Sequence, residues 1–217
     1  MSANRSNLAW FTAFAIAMAN VEAALVVYLR SLYYPADPKV IFPLSMLSQR
    51  DLAVEVPREL ATILMIWCVA LLGARGFVRR LAAFLYVFGV WDIFYYAWLK
   101  TMIGWPASWL EWDVLFLVPW PWFAPWISAP LMALLFVFWG AWILWSAPDV
   151  EVNRTSATLF LLGTSLVLLT FLWPAVPLLP GGERAFEGFQ PDAFPWPLYL
   201  LGYLLTAAGL WRATPPH

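Results

Sequence analysis

An all-α bundle of about six transmembrane helices, forming a single integral membrane domain over residues 1–217, is expected from three observations. Of the 217 residues, 63% are hydrophobic, and the mean hydropathy is +0.74. Only 12% are charged, about half the share of an ordinary soluble domain. The 12 Lys and Arg and 13 Asp and Glu are too few to solvate a globular surface of this size. Finally, apolar runs close to the ~20 residues that cross a bilayer recur six times, most of them flanked by aromatic side chains suited to the interface.

The first run, Leu8 to Leu29, carries one charge, Glu22, and ends in an interfacial cluster of Arg30, Tyr33, Tyr34 and Pro35. Arg5, the apolar run and Ala17-Met18-Ala19 imitate a signal peptide. Hydrophobicity continues past Glu22 through Leu25-Val26-Val27, so the run reads as a transmembrane helix. The second span is expected from Pro57 to Ala74, with Pro57 at a first helical position where a missing N–H costs nothing. The third, Leu81 to Leu99, again holds a single charge, Asp92. Pro130 to Trp145, Ala157 to Trp173 and Trp196 to Trp211 complete the set, the last so short that it depends on its terminal tryptophans for depth.

Two connections stand out. Gly104 to Ala129 is too apolar for an exposed loop and has proline at 106, 119, 121 and 125, too many for one straight helix. It reads as a Pro/Trp-rich interfacial or re-entrant element whose backbone other helices must cover. Asp113, opening its apolar centre, is expected to act as a helix N-cap. Pro174 to Pro195, with Gly181-Gly182 and several acids, reads as a solvated loop. The basic residues Arg75, Arg79 and Arg80 crowd the link between spans two and three, which places that link and both termini in the cytoplasm. No internal repeat supports an inverted-repeat transporter.

The inventory removes whole classes of chemistry. His217 is the only histidine and Cys68 the only cysteine. Histidine-ligated haem, zinc or copper centres, Ser-His hydrolysis and paired-thiol redox chemistry all need residues that are missing here. Cys68 reads as a small buried hydrophobe. A net charge of −1 without a basic stripe excludes nucleic acid as a partner.

Ionisable side chains within spans are costly and mark functional sites or helix-packing hydrogen bonds. Glu22, Glu59 and Asp92 meet that description. Counting about 1.5 Å per residue from Arg5, Arg75 and Arg80 puts all three toward the outer half. Spans one to three are expected to gather them around one cavity. Glu55, Glu59 and Thr62 share a stripe at i, i+4 and i+7, with Arg58 beside them. The competing structural account places Glu55 and Glu59 in a first helical turn, favoured by the macrodipole. Asp92 shares its stripe with Tyr95, Tyr96 and Lys100, and Glu22 with Arg30. Each base lies two turns, roughly 12 Å, beyond its acid, so the bases are expected to pair with other acids or to guard the way in.

The segments Phe88-Gly89-Val90-Trp91-Asp92-Ile93-Phe94-Tyr95-Tyr96, Gly104-Trp105-Pro106 and Trp112-Asp113-Val114-Leu115-Phe116-Leu117-Val118-Pro119, with the Glu55 to Thr62 motif, resemble an uncharacterised family of bacterial polytopic inner-membrane proteins. The resemblance covers roughly residues 20 to 130. It implies a bacterial inner membrane as the setting and carries no activity.

Three functions compete at this level. The first is a site open to the outer face that binds or moves an ion, a proton or a small polar or lipid ligand. Its residues are Glu22, Glu55, Arg58, Glu59, Asp92, Tyr95, Tyr96, Lys100 and Asp113. If it held a metal, an all-oxygen donor set would favour Mg, Ca or Mn. The second is a non-catalytic accessory subunit of a larger membrane complex, a reading that a monomer or homodimer without a partner would weaken. The partners expected are the lipid bilayer and either further copies of the chain or a larger membrane complex. The third is an intramembrane enzyme using two carboxylates as acid and base on a lipid-linked substrate.

Overall fold

A computed structural model describes residues 3–146 and 150–214, so His217 lies outside the described residues. Six helices run α1 (Ala3–Tyr33), α2 (Gln49–Gly73), α3 (Phe77–Ile103), α4 (Ser128–Ser146), α5 (Arg154–Leu172) and α6 (Trp196–Arg212). The first five are long and apolar enough to cross a membrane. At 17 residues, α6 is shorter than the rest. The all-α bundle expected from composition and apolar spacing is therefore the architecture found.

Helix α3 is the hub, packed against α1, α2 and α4. Its small residues let neighbouring backbones approach. A methyl group on Gly89 would stand 2.6 Å from the Ala133 carbonyl oxygen of α4, and one on Gly140 would meet the Ala82 carbonyl oxygen at 2.7 Å. Toward α1 the contacts are polar: Thr12 and Tyr86 share a hydroxyl hydrogen bond of 2.7 Å, and Trp98 Nε1 donates to the Ile16 carbonyl at 3.2 Å. Helices α5 and α6 form a second tight pair. There a methyl on Gly163 would lie 2.6 Å from Gly202 O, and one on Gly209 would lie 2.9 Å from Ser156 O. Small residues permit such close packing where no hydrophobic effect drives helices together.

Helix α2 begins eight residues earlier than its apolar run suggests. Ser48 caps it, its hydroxyl accepting from the Asp51 N–H at 3.1 Å. Pro57 thus lies inside the helix, where it forgoes a bond to the carbonyl of Ala53, and both residues are exposed. Glu55 and Glu59 consequently stand in the second and third turns, and the first-turn macrodipole account does not apply to them. Only 22% of the most apolar window of α2 is buried, against 50% for α3 and α4. Cys68 is exposed on this helix, so the expectation of a buried cysteine is corrected.

The Pro/Trp-rich segment forms an antiparallel hairpin, β1 (Trp112–Phe116) with β2 (Trp122–Pro125), whose register shifts between Val114 and Phe116. Asp113 is therefore a strand residue and not a helix N-cap. Ahead of the hairpin, Gly104 ends α3 at φ 74°, a left-handed conformation natural to glycine. Residues 174–195 are not a plain solvated loop either. They wind into short 3-10 helices at Trp173–Gly181 and Glu183–Phe186. Phe186 and Ala175 join Leu44 and Phe123 in a small buried cluster, and Leu44 exchanges two backbone hydrogen bonds of 2.8 Å with Gly188 and Phe189. The hairpin, the 34–48 connection and the 3-10 helices together cap the bundle at the end opposite the Arg75 link.

Candidate functional site

Beneath this cap two arginines from different helices organise four carboxylates and two hydroxyls. Arg58, on the third turn of α2, pairs with Glu22 of α1, with Glu55 through Nε at 2.7 Å, and with Glu59 at 4.0 Å. The spacing within α2 accounts for the local part: positions i, i+3 and i+4 hold Glu55, Arg58 and Glu59 near one another. The Glu22 contact is tertiary and joins α1 to α2, as do the hydrogen bonds of Tyr33 to Asp51 and of Asn7 to the Gly73 carbonyl. Thr62, one turn beyond Arg58, donates to Glu22 Oε2 at 3.2 Å and to the Arg58 carbonyl at 3.1 Å. Glu59 accepts the backbone N–H of Leu117 at 2.9 Å, which ties the end of β1 to α2. Glu22 and Glu59 are both buried.

The second arginine fastens the hairpin. Arg30 donates from Nη2 to Asp113 Oδ1 at 2.9 Å, and Tyr96 donates to Asp113 Oδ2 at 3.0 Å. The guanidinium also lies over the Trp105 ring, 4.0 Å from its centroid. All four groups are buried. Burial pushes the Asp113 carboxyl above the usual carboxylate range, while the Arg30 charge and the Tyr96 hydroxyl pull the other way. Near the rim, burial also raises the Tyr34 phenol above its ordinary value, and its oxygen accepts the Ser45 N–H at 2.8 Å.

Between the two arginines lies a cavity of about 130 Å³, bordered by Arg30, Arg58, Glu55, Glu59, Tyr95 and Asp113. At ~30 Å³ per water it has room for about four waters or a small ion. Glu22 does not reach this cavity, because Arg58 stands between them.

Not every expected residue belongs here. Asp92 borders a different, apolar cavity and forms no ion pair with Arg58 or Arg30, so the single cavity expected for Glu22, Glu59 and Asp92 divides into two. The reason is rotational: Tyr95 and Tyr96 turn toward the arginines, and Asp92, three and four positions earlier, opens on the α4–α5 side of α3. Lys100 is not part of the site. It donates to the carbonyls of Gly104 at 3.1 Å and Pro106 at 2.7 Å, closing the last turn of α3. Among the described residues no three acidic, cysteine or histidine side chains converge to hold a metal ion. Sequence spacing did not reveal two members of the site. Arg30 carried a signal, as a charge two turns from Glu22, but its partner lies 83 residues away. The Leu117 N–H carried none, since a backbone donor looks alike in every residue.

Comparison with protein-family models, curated proteins and solved structures finds no match.

Proposed function

We propose a polytopic protein of the bacterial inner membrane, with the Arg75 to Arg80 link and the termini cytoplasmic, whose Arg58 cluster binds or passes a proton or small cation from the outer face. The observation that carries this reading is the charge imbalance: buried Glu22 and Glu59 and half-buried Glu55 share the single guanidinium of Arg58. Buried charge persists only when compensated, so the excess acid calls for a proton or an external cation. The size of the cavity favours a proton, a monovalent ion or a small amine over a lipid headgroup. The same size argues against the enzyme reading, which needs room for a lipid-linked substrate. The scattered acids favour a proton over a multidentate divalent metal.

The test is carboxyl infrared spectroscopy of the reconstituted protein across pH, together with thermal unfolding in sodium, calcium and methylammonium salts. The expected result is a titrating buried carboxyl band, lost in Glu22→Gln or Glu59→Gln, or stabilisation by one cation that these variants abolish. A hundredfold excess of ligand over its Kd corresponds to about 2.7 kcal/mol of stabilisation. Spectra without a titrating buried carboxyl, and no response to any cation, would sink the proposal.

The accessory-subunit reading draws on one observation: α2 leaves Leu60, Leu64 and Leu72 exposed and is mostly unburied. A partner helix against α2 would survive mild detergent extraction as a defined complex, whereas lipid contact alone would leave the isolated chain.

A further inference from the structure

The cavity that Asp92 borders has a chemistry of its own. Its volume is about 350 Å³, within the range of small-molecule sites. It lies where α2, α3, the hairpin, α4 and α5 meet, and the hairpin partitions it from the Arg58 cavity: Val114 and Leu117 face one, Leu115 and Phe116 the other. Aromatic rings surround it, from Phe88 and Trp91 on α3, Phe116 and Trp122 on the hairpin, Phe136 on α4 and Phe171 on α5. Asp92 is the only charged residue among those bordering it. Its Oδ2 is buried without a hydrogen-bond partner, and no cationic side chain among the described residues pairs with it.

An unpaired carboxylate oxygen in an aromatic cavity is costly for the protein alone and favourable for one class of ligand. We propose that this cavity binds an organic cation, an ammonium group on an apolar body, with the charge against Asp92 Oδ2 and the body among the rings. The ring faces attract cations most strongly where water is excluded. A purely apolar occupant would leave Oδ2 unsatisfied. An inorganic cation would find one carboxylate where several oxygens are needed. An anion would meet the Asp92 carboxylate with no cationic side chain bordering the cavity to offset the repulsion. The inference is independent of the Arg58 cluster, since it uses none of its residues. A free lipophilic amine and the amino headgroup of a lipid present the same ammonium chemistry.

The experiment uses the full chain, delipidated in dodecyl maltoside, with decyltrimethylammonium as probe and decanol as its uncharged counterpart, each measured by equilibrium dialysis. One saturable site for the cation is expected. Asp92→Asn should weaken it about tenfold, or 1.4 kcal/mol, with no change for decanol. Trp122→Leu, which leaves the charge intact, should weaken the cation severalfold and serves as the second probe if Asp92→Asn does not fold. Added phosphatidylethanolamine that displaces the probe would identify the ligand as a membrane lipid, and failure to displace it would identify a free amine. Equal binding of decanol and the cation with no response to either variant would overturn the proposal, as would the absence of saturable cation binding.

Discussion

Helix α2 and the α5–α6 pair sit in one bundle and are held in opposite ways. The pair is joined by shape: Gly163, Gly202 and Gly209 let two backbones approach until an added methyl group would overlap the facing carbonyls. Little of α2 is buried: it packs on α3, where Trp67 meets Phe84 edge to face, and its polar ties to the rest of the molecule are Arg58 on Glu22, Asp51 on the Tyr33 hydroxyl, the Gly73 carbonyl on Asn7, and Glu59 on the Leu117 N–H. Dispersion between close backbones is insensitive to protonation and ligands. A charge cluster responds to both, so under the proposed function the α2 side is the part of the molecule that a proton or cation would move.

The sharpest way to break this comparison is to remove the base that the acids share. Arg58→Ala leaves buried carboxylates unpaired and should cost about 3–5 kcal/mol. Hydrogen exchange should show the loss in α2 and in β1, with α5 and α6 still protected. Uniform loss of protection across the bundle would mean that α2 is not a separately held unit. The hairpin bolt ranks next. Arg30→Met alone should cost about 3 kcal/mol, because Asp113 then lacks its cation. Arg30→Met combined with Asp113→Leu should recover most of that in thermal unfolding, and a double variant as unstable as the single one would show that the pair is not what couples hairpin to α1.

On the shape-held side, Gly163→Ala forces a methyl group against Gly202 O and Thr206 and should cost about 1–3 kcal/mol. Its signature is selective loss of protection in α5 and α6, with any cation response of the Arg58 cluster unchanged. The smallest effect is expected at Lys100. Lys100→Met removes two hydrogen bonds to carbonyls at the end of α3 and should cost about 1 kcal/mol. Ligand or proton binding should be unaffected, and a clear loss of binding would return Lys100 to the site.

The residues differ in how much of this their spacing disclosed. Glu55, Arg58, Glu59 and Thr62 are neighbours by helical geometry alone, so their grouping was legible. That Glu22 joins them required only that α1 and α2 lie side by side. The early start of α2 was hidden because Gln49 to Val56 is mostly polar or marginally apolar, and Pro57 resembles a first-turn proline. The hairpin was hidden for another reason: its strands are five and four residues long, proline-flanked and out of simple alternation at the Val114 to Phe116 shift. Asp92 misled because stripe membership spans an arc wide enough for its two edges to face different cavities.

The chain's apolar runs and scarcity of charge were enough to determine a helical bundle with helices long enough to cross a membrane, because every backbone polar group at that depth must be satisfied within its own helix. The acids and bases of the candidate site were also evident there, since so few ionisable residues interrupt the apolar runs. Which acid meets which base was decided only in three dimensions. Arg30 finds Asp113, Glu22 reaches Arg58, and Asp92 is left alone among aromatic rings, because those outcomes depend on helix rotation and on a hairpin folding back over the bundle. Both are set by packing among distant segments, and no local spacing encodes them.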